Sequence, residues 1–87
     1  MDLGLTGRKA IVCGSSKGLG RACAEGLAQA GVDVVINGRD VERLEQVAEQ
    51  IATTTGSKIT PVTADLNTSD GRAALLSACP APDILVN

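Results

Sequence analysis

The sequence predicts a doubly wound α/β fold with a parallel sheet in the strand order 3-2-1-4, and three observations carry that prediction. Four short apolar runs, at residues 9–13, 32–36, 59–64 and 84–86, alternate with three segments of helical spacing. Such alternation with short connections builds right-handed crossovers and a parallel sheet. A glycine-rich turn, Gly14-Ser15-Ser16-Lys17-Gly18-Leu19-Gly20, joins the first run to the first helical segment. Pro61 interrupts the third run and lacks the N–H that a central strand needs on both sides, so that strand belongs at the edge where the order 3-2-1-4 puts it.

Each element has a local reason. Residues 9–13 form a mostly apolar first strand. After the glycine turn, Leu19, Cys23, Leu27 and Ala30 repeat at helical spacing and Gly31 supplies the stop. This stripe is expected to be the inner face, with Ala22 and Gly26 allowing a close approach to the sheet. Residues 32–36 are β-branched apart from Asp33, as befits a short buried parallel strand, and Asn37-Gly38-Arg39 reads as the turn after it. Asp40 directly precedes an apolar stripe of Val41, Leu44, Val47, Ala48 and Ile51, with Glu42, Arg43, Glu45 and Glu49 largely outward. It is therefore placed to cap the second helix, which residues 53–58 connect to the third strand. Asn67 or Thr68 caps a third helix through Leu75 and Leu76, ended by Pro80 and Pro82. Helices one and two should cover one face of the sheet and helix three the other.

Composition narrows the function. The 87 residues suffice for one small domain, 44% hydrophobic and 21% charged with a net charge of −2. His, Trp, Tyr and Phe are all absent, which excludes a histidine base, a His-containing metal site and an aromatic platform for stacking bases. The acidic balance argues against a nucleic-acid surface. The N-terminus reaches Arg8 and Lys9 without an apolar stretch and no run approaches membrane-spanning length. No signal peptide, no membrane partner and a cytoplasmic location are the expectation. Cys13, Cys23 and Cys79 make an odd number without Cys-x-x-Cys spacing, so no metal site is expected, and Cys13 and Cys23 read as small buried core residues.

The glycine turn is the feature that points to a ligand. A strand passing through such a turn into a helix aims unpaired N–H groups, and the positive end of the helix dipole, beyond the strand, which suits a phosphate. Gly14 can turn sharply, Gly18 lets a ligand approach the backbone, and Gly20 lets helix and strand pack closely. The spacing Gly-x-x-x-Gly-x-Gly differs from both the Gly-x-Gly-x-x-Gly fingerprint and the P-loop. In a 3-2-1-4 sheet the switch point lies between strands one and four, so Gly14 and Asn87 should flank one crevice at the carboxyl ends of the strands.

On these residues the chain resembles the short-chain dehydrogenase/reductase family, over its whole length. Gly14 to Gly20 is similar to the family's Thr-Gly-x-x-x-Gly-Ile-Gly, with Cys13 in place of Thr and Leu19 in place of Ile. Asp65-Leu66 resembles the adenine-contacting Asp of the family. Asp83-Ile84-Leu85-Val86-Asn87 resembles the strand leading into Asn-Asn-Ala-Gly, of which only the first Asn is present. The resemblance implies that residues 1–87 are the N-terminal part of a single Rossmann-type dinucleotide-binding domain in a longer oxidoreductase. It implies a cofactor site of Gly14, Ser16, Lys17, Gly18, Leu19, Gly20, Arg39, Asp65, Leu66 and Asn87. Ser16 would reach phosphate, Asp65 the adenine amino group, and Asn87 the adenosine ribose. The family's catalytic Ser and Tyr-x-x-x-Lys have no counterpart here, so no catalytic residue is assigned and residues 1–87 alone should be inactive.

The end of strand two decides the cofactor, because an Asp or Glu there accepts hydrogen bonds from a ribose 2′-OH and repels a 2′-phosphate. The chain has Gly38 and then Arg39. A guanidinium matches phosphate bidentately and Lys17 can add a second charge, so NADP(H) is preferred. Asp40, if it met a ribose hydroxyl instead of capping, would admit NAD(H). The expected activity is hydride transfer between nicotinamide and a small carbonyl or alcohol substrate, in a homo-oligomer, with 3-oxoacyl reductases as related enzymes. The alternative is a non-catalytic dinucleotide-binding sensor or scaffold.

Overall fold

The order of elements is β1 (Lys9–Val12), α1 (Gly18–Gln29), β2 (Asp33–Gly38), α2 (Val41–Thr55), β3 (Ile59–Thr63), α3 (Ser69–Ala78) and β4 (Ile84–Val86). They are seen in a computed structural model that describes residues 4–14 and 18–86. All strand pairs are parallel and the sheet order is β3-β2-β1-β4, as the sequence predicts. β1 lies in the middle, with Ile11 opposite both Val35 of β2 and Leu85 of β4. Pro61 sits in the edge strand opposite Ile36, where its missing N–H costs no ladder bond on the solvent side.

Alternate residues of each strand serve opposite faces. Ala10, Val12, Val34 and Ile36 pack beneath α1 and α2 with Ala24, Ala28, Leu44, Val47, Ala48 and Ile51. Ile11 and Val35 pack on the other face with Leu75 of α3 and Cys79, which caps its C-terminus. The first layer is the larger. Ile36, Leu44 and Ile51 are all fully buried there, and burial of each such side chain contributes about 1.5–3 kcal/mol.

The start of the sheet is tied by Asp83. Its backbone N–H donates to the Lys9 carbonyl at 2.8 Å, and its Oδ2 accepts the Lys9 N–H at 2.9 Å. Asp40 caps α2 as expected, with extended backbone (φ −94°, ψ 108°) and a side-chain oxygen accepting the Arg43 N–H at 3.1 Å. Thr68, not Asn67, caps α3, its Oγ1 accepting the Gly71 N–H at 2.9 Å.

Four expectations are corrected. In α1 the buried residues are Ala24 and Ala28, whereas Leu19 is 86% exposed and Ala22, Cys23 and Gly26 are exposed as well. The helix turns by about 100° per residue, so a shift of one position moves the stripe to another face. Small side chains face the sheet, with half-buried Leu27 packed against the same cluster, while Leu19 and Cys23 at the start of the expected stripe turn outward. Second, Cys23 is exposed and Cys13 only half-buried, while Cys79 is the buried cysteine. Third, Asn37 and Gly38 belong to β2, paired with Val62 and Thr63, and the chain turns only at Arg39. α2 also runs past the expected boundary to Thr55, where Gly56 in the left-handed region (φ 74°) donates its N–H to the Ala52 carbonyl.

Candidate functional site

At the carboxyl ends of the strands, β1 passes into the glycine turn. Cys13 donates its N–H to the Val86 carbonyl at 2.9 Å, so β1 and β4 stay paired up to the residue before Gly14. Gly14 and Gly18 have φ of 61° and 65°, in the left-handed region that glycine enters without steric cost. A Cβ at either would meet no neighbouring atom, so it is backbone conformation, and not crowding by the protein, that asks for glycine.

Beside Gly14 lies a groove of 370 Å³ lined by Gly14, Asn37, Gly38, Arg39, Ala64, Asp65, Leu66 and Asn67. The fold thus brings Gly14, Arg39, Asp65 and Leu66, four of the residues chosen from sequence, around one space. Leu19 and Gly20 lie in the first turn of α1, Leu19 turned to solvent and Gly20 half-buried. Ser16, Lys17 and Asn87 lie outside the described residues. A second groove, of 320 Å³, opens at the other end of the sheet among Lys9, Asp33, Lys58, Cys79 and Pro80. It has no glycine turn, and ligands of open parallel sheets bind at the carboxyl ends, so the groove beside Gly14 is the candidate.

The two walls differ in chemistry. One carries Arg39, exposed and without an ion pair among the described residues. Its neighbour Asp40 is engaged at the α2 N-terminus, which satisfies an otherwise orphaned helix N–H. The other wall is the loop after β3. Asp65 Oδ1 accepts the Asn67 N–H at 2.9 Å in an Asx turn, and the Asp65 carbonyl accepts from the Thr68 hydroxyl at 2.8 Å. Leu66 packs against the apolar cluster under α3. Cys13 adjoins the glycine turn, and its partial burial raises its thiol above the ordinary value, which disfavours a reactive thiolate.

Two residues at this site escape sequence reasoning. Asn37 is a buried polar side chain whose amide donates to the carbonyls of Val62 (3.1 Å) and Ala64 (3.2 Å). Gly71, in the first turn of α3, is buried against the same loop, and a Cβ there would fall on the Asp65 carbonyl. The available signals were slight, a lone amide ending a β-branched run and a glycine three residues after a cap.

This arrangement of glycine turn, sheet order and groove can be set beside known proteins. The family model described as short chain dehydrogenase matches residues 8–87. The chain belongs to the short-chain dehydrogenase family. An uncharacterized oxidoreductase of Bacillus subtilis (strain 168) is 41% identical over 88 residues, covering 100% of this chain and 33% of the relative. The 2-dehydro-3-deoxy-D-gluconate 5-dehydrogenase of Escherichia coli (strain K12) is 42% identical over 87 residues, covering 95% of this chain and 33% of that enzyme. Among solved structures, L-sorbose reductase from Gluconobacter frateurii, complexed with NADPH and L-sorbose, superposes with a TM-score of 0.92 at 37% identity. That match covers 100% of this chain and 35% of the reductase. A short-chain dehydrogenase from Sphingobium yanoikuyae in complex with NADPH gives 0.73 at 31% identity over 77% of this chain and 26% of that one. The chain therefore spans about a third of the length of the short-chain dehydrogenases it matches. Among the described residues, no helix is long and apolar enough to cross a membrane.

Proposed function

We propose that this chain is the N-terminal, cofactor-binding part of an NADP(H)-dependent short-chain oxidoreductase that transfers hydride between nicotinamide and a carbonyl or alcohol substrate. The observation that carries the reading is the groove in which the Gly14 turn, Arg39 and the Asp65-Leu66 loop meet. In this reading the turn and the α1 N-terminus take the pyrophosphate through Gly14, Ser16, Gly18, Leu19 and Gly20. Asp65 and Leu66 take the adenine, and Asn87 lines the adenosine ribose. Arg39, helped by Lys17, takes the 2′-phosphate. The guanidinium supports NADP(H), since an exposed Arg without a carboxylate partner among the described residues is available for a bidentate contact. The capping of α2 by Asp40 weighs against its holding a ribose hydroxyl, the arrangement that would favour NAD(H). NADPH in two of the similar structures is consistent with the same choice.

Bound dinucleotide would supply the hydride. What these residues contribute is binding and orientation, with dipole and cation set against phosphate charge. The proton chemistry and the substrate pocket belong to the rest of a longer protein, and a cytoplasmic homo-oligomer is part of the same proposal. The test is to give the complete protein a panel of small ketones and 3-oxoacyl thioesters and follow the nicotinamide absorbance with NADPH and with NADH. Turnover faster with NADPH supports the reading. Dinucleotide binding without turnover of any carbonyl or alcohol would instead favour a sensor or scaffold.

A further inference from the structure

We propose that Asn37 is a positioning residue that sets the adenine-side wall of the groove through its side-chain amide. The inference rests on the reading of that groove as the adenosine seat. The β2–β3 ladder ends at the pair Gly38 and Thr63. Beyond it, the Ala64 N–H still reaches the Gly38 carbonyl at 3.2 Å, and the Asn37 amide takes the Ala64 carbonyl at 3.2 Å together with the Val62 carbonyl at 3.1 Å. Both backbone groups of Ala64 are thereby held from β2, directly before Asp65. No aliphatic residue of the same size supplies those donors, although Val35, two residues earlier, packs in the apolar cluster under α3.

The loop is held from its other side by α3. Arg72 Nη1 donates to the Leu66 carbonyl at 3.0 Å, and the hydrogen atom that Gly71 has in place of a side chain lets the Asp65 carbonyl lie against the helix. Asn37 is 4% exposed while Arg72 is exposed, so the amide is the buried anchor and the guanidinium the outer one. A buried amide donating two hydrogen bonds fixes a wall more firmly than backbone contacts alone, because releasing it leaves polar groups unsatisfied. Asn37 thus acts on the cofactor through Ala64, Asp65 and Leu66.

The experiment uses the complete protein and adenosine 5′-monophosphate as a competitive inhibitor against NADPH; this probe lacks the 2′-phosphate and is independent of the NADP(H) choice. Asn37→Leu keeps the volume and removes the donors. Its AMP inhibition constant and its KM for NADPH should both rise by roughly tenfold, with kcat within about twofold. Arg72→Met, on the exposed side, should shift both constants the same way by about threefold. If Asn37→Leu does not fold, Asn37→Ser, too short to reach both carbonyls, is read in its place. A fall in melting temperature or kcat with an unchanged AMP constant, in whichever Asn37 variant folds, would overturn the proposal. A wild type that AMP does not inhibit would overturn the adenosine seat itself, and Asn37's role with it.

Discussion

Substituting Gly71 by alanine sets two effects of opposite sign against each other. In a helix interior, alanine is favoured over glycine by about 1 kcal/mol. At Gly71, however, the new Cβ falls on the Asp65 carbonyl and close to Thr68 Oγ1, and that hydroxyl is the cap accepting the Gly71 N–H. Forcing an atom into a filled site costs about 1–3 kcal/mol, and losing the cap costs about 1 kcal/mol more. The net effect is destabilisation by roughly 1–3 kcal/mol after the propensity gain is subtracted. In a protein of the size of the relatives this lowers Tm by roughly 2–12 °C. Gly26 provides the matched control. It is exposed in α1, its φ is not positive, and a Cβ there meets nothing within 4 Å. Gly26→Ala should therefore gain about 0.4–1 kcal/mol and raise Tm by roughly 1–4 °C. Thermal unfolding of both variants, followed by circular dichroism, reads the contrast. A Gly71→Ala protein that is stabilised like Gly26→Ala would refute the close seating of the Asp65 loop on α3.

Two further outcomes follow from local geometry. Asp40→Ala should lower stability by about 1 kcal/mol through loss of the Arg43 N–H acceptor, while Asp40→Asn, which can still cap, should lose only a few tenths. Calorimetry reads the difference, and neither variant should weaken NADH binding selectively. Cysteine alkylation by iodoacetamide, mapped by mass spectrometry, should reach exposed Cys23 before half-buried Cys13 and buried Cys79. Burial raises the Cys13 thiol above its ordinary value of 9.0. The folded chain therefore keeps that proton to higher pH than the unfolded chain, and its stability falls as pH rises above about 9, a loss that Cys13→Ser removes.

The order of elements was legible because period and punctuation agreed along the chain. Pro61 excluded a central position for β3, and Asp40 stood directly before the α2 stripe. The glycine turn was legible from its residue types and Asp65 through the family resemblance, and the fold brings Gly14 and Asp65 around the same groove as Arg39. The phase of α1 was not legible, since a helix that packs closely on a sheet turns alanines inward, and Ala24 and Ala28 carry little hydrophobic signal. The end of β2 was misplaced for a related reason. Asn37 and Gly38 have turn chemistry by residue type, yet Asn37 finds its partners at Val62 of β3 and at Ala64 just beyond it, which local sequence does not display. Gly71 was silent because its constraint comes from Asp65, six residues away across a loop.

The central claim is that Arg39 reads the 2′-phosphate of NADP(H) at the end of β2. The direct measurement is the pair of dissociation constants for NADPH and NADH in the complete protein, wild type against Arg39→Ala. A charge-assisted contact contributes about 1.5–3 kcal/mol, so NADPH binding should weaken by roughly tenfold to a hundredfold while NADH binding stays within about twofold. Equal weakening of both dinucleotides, or of neither, would contradict the assignment.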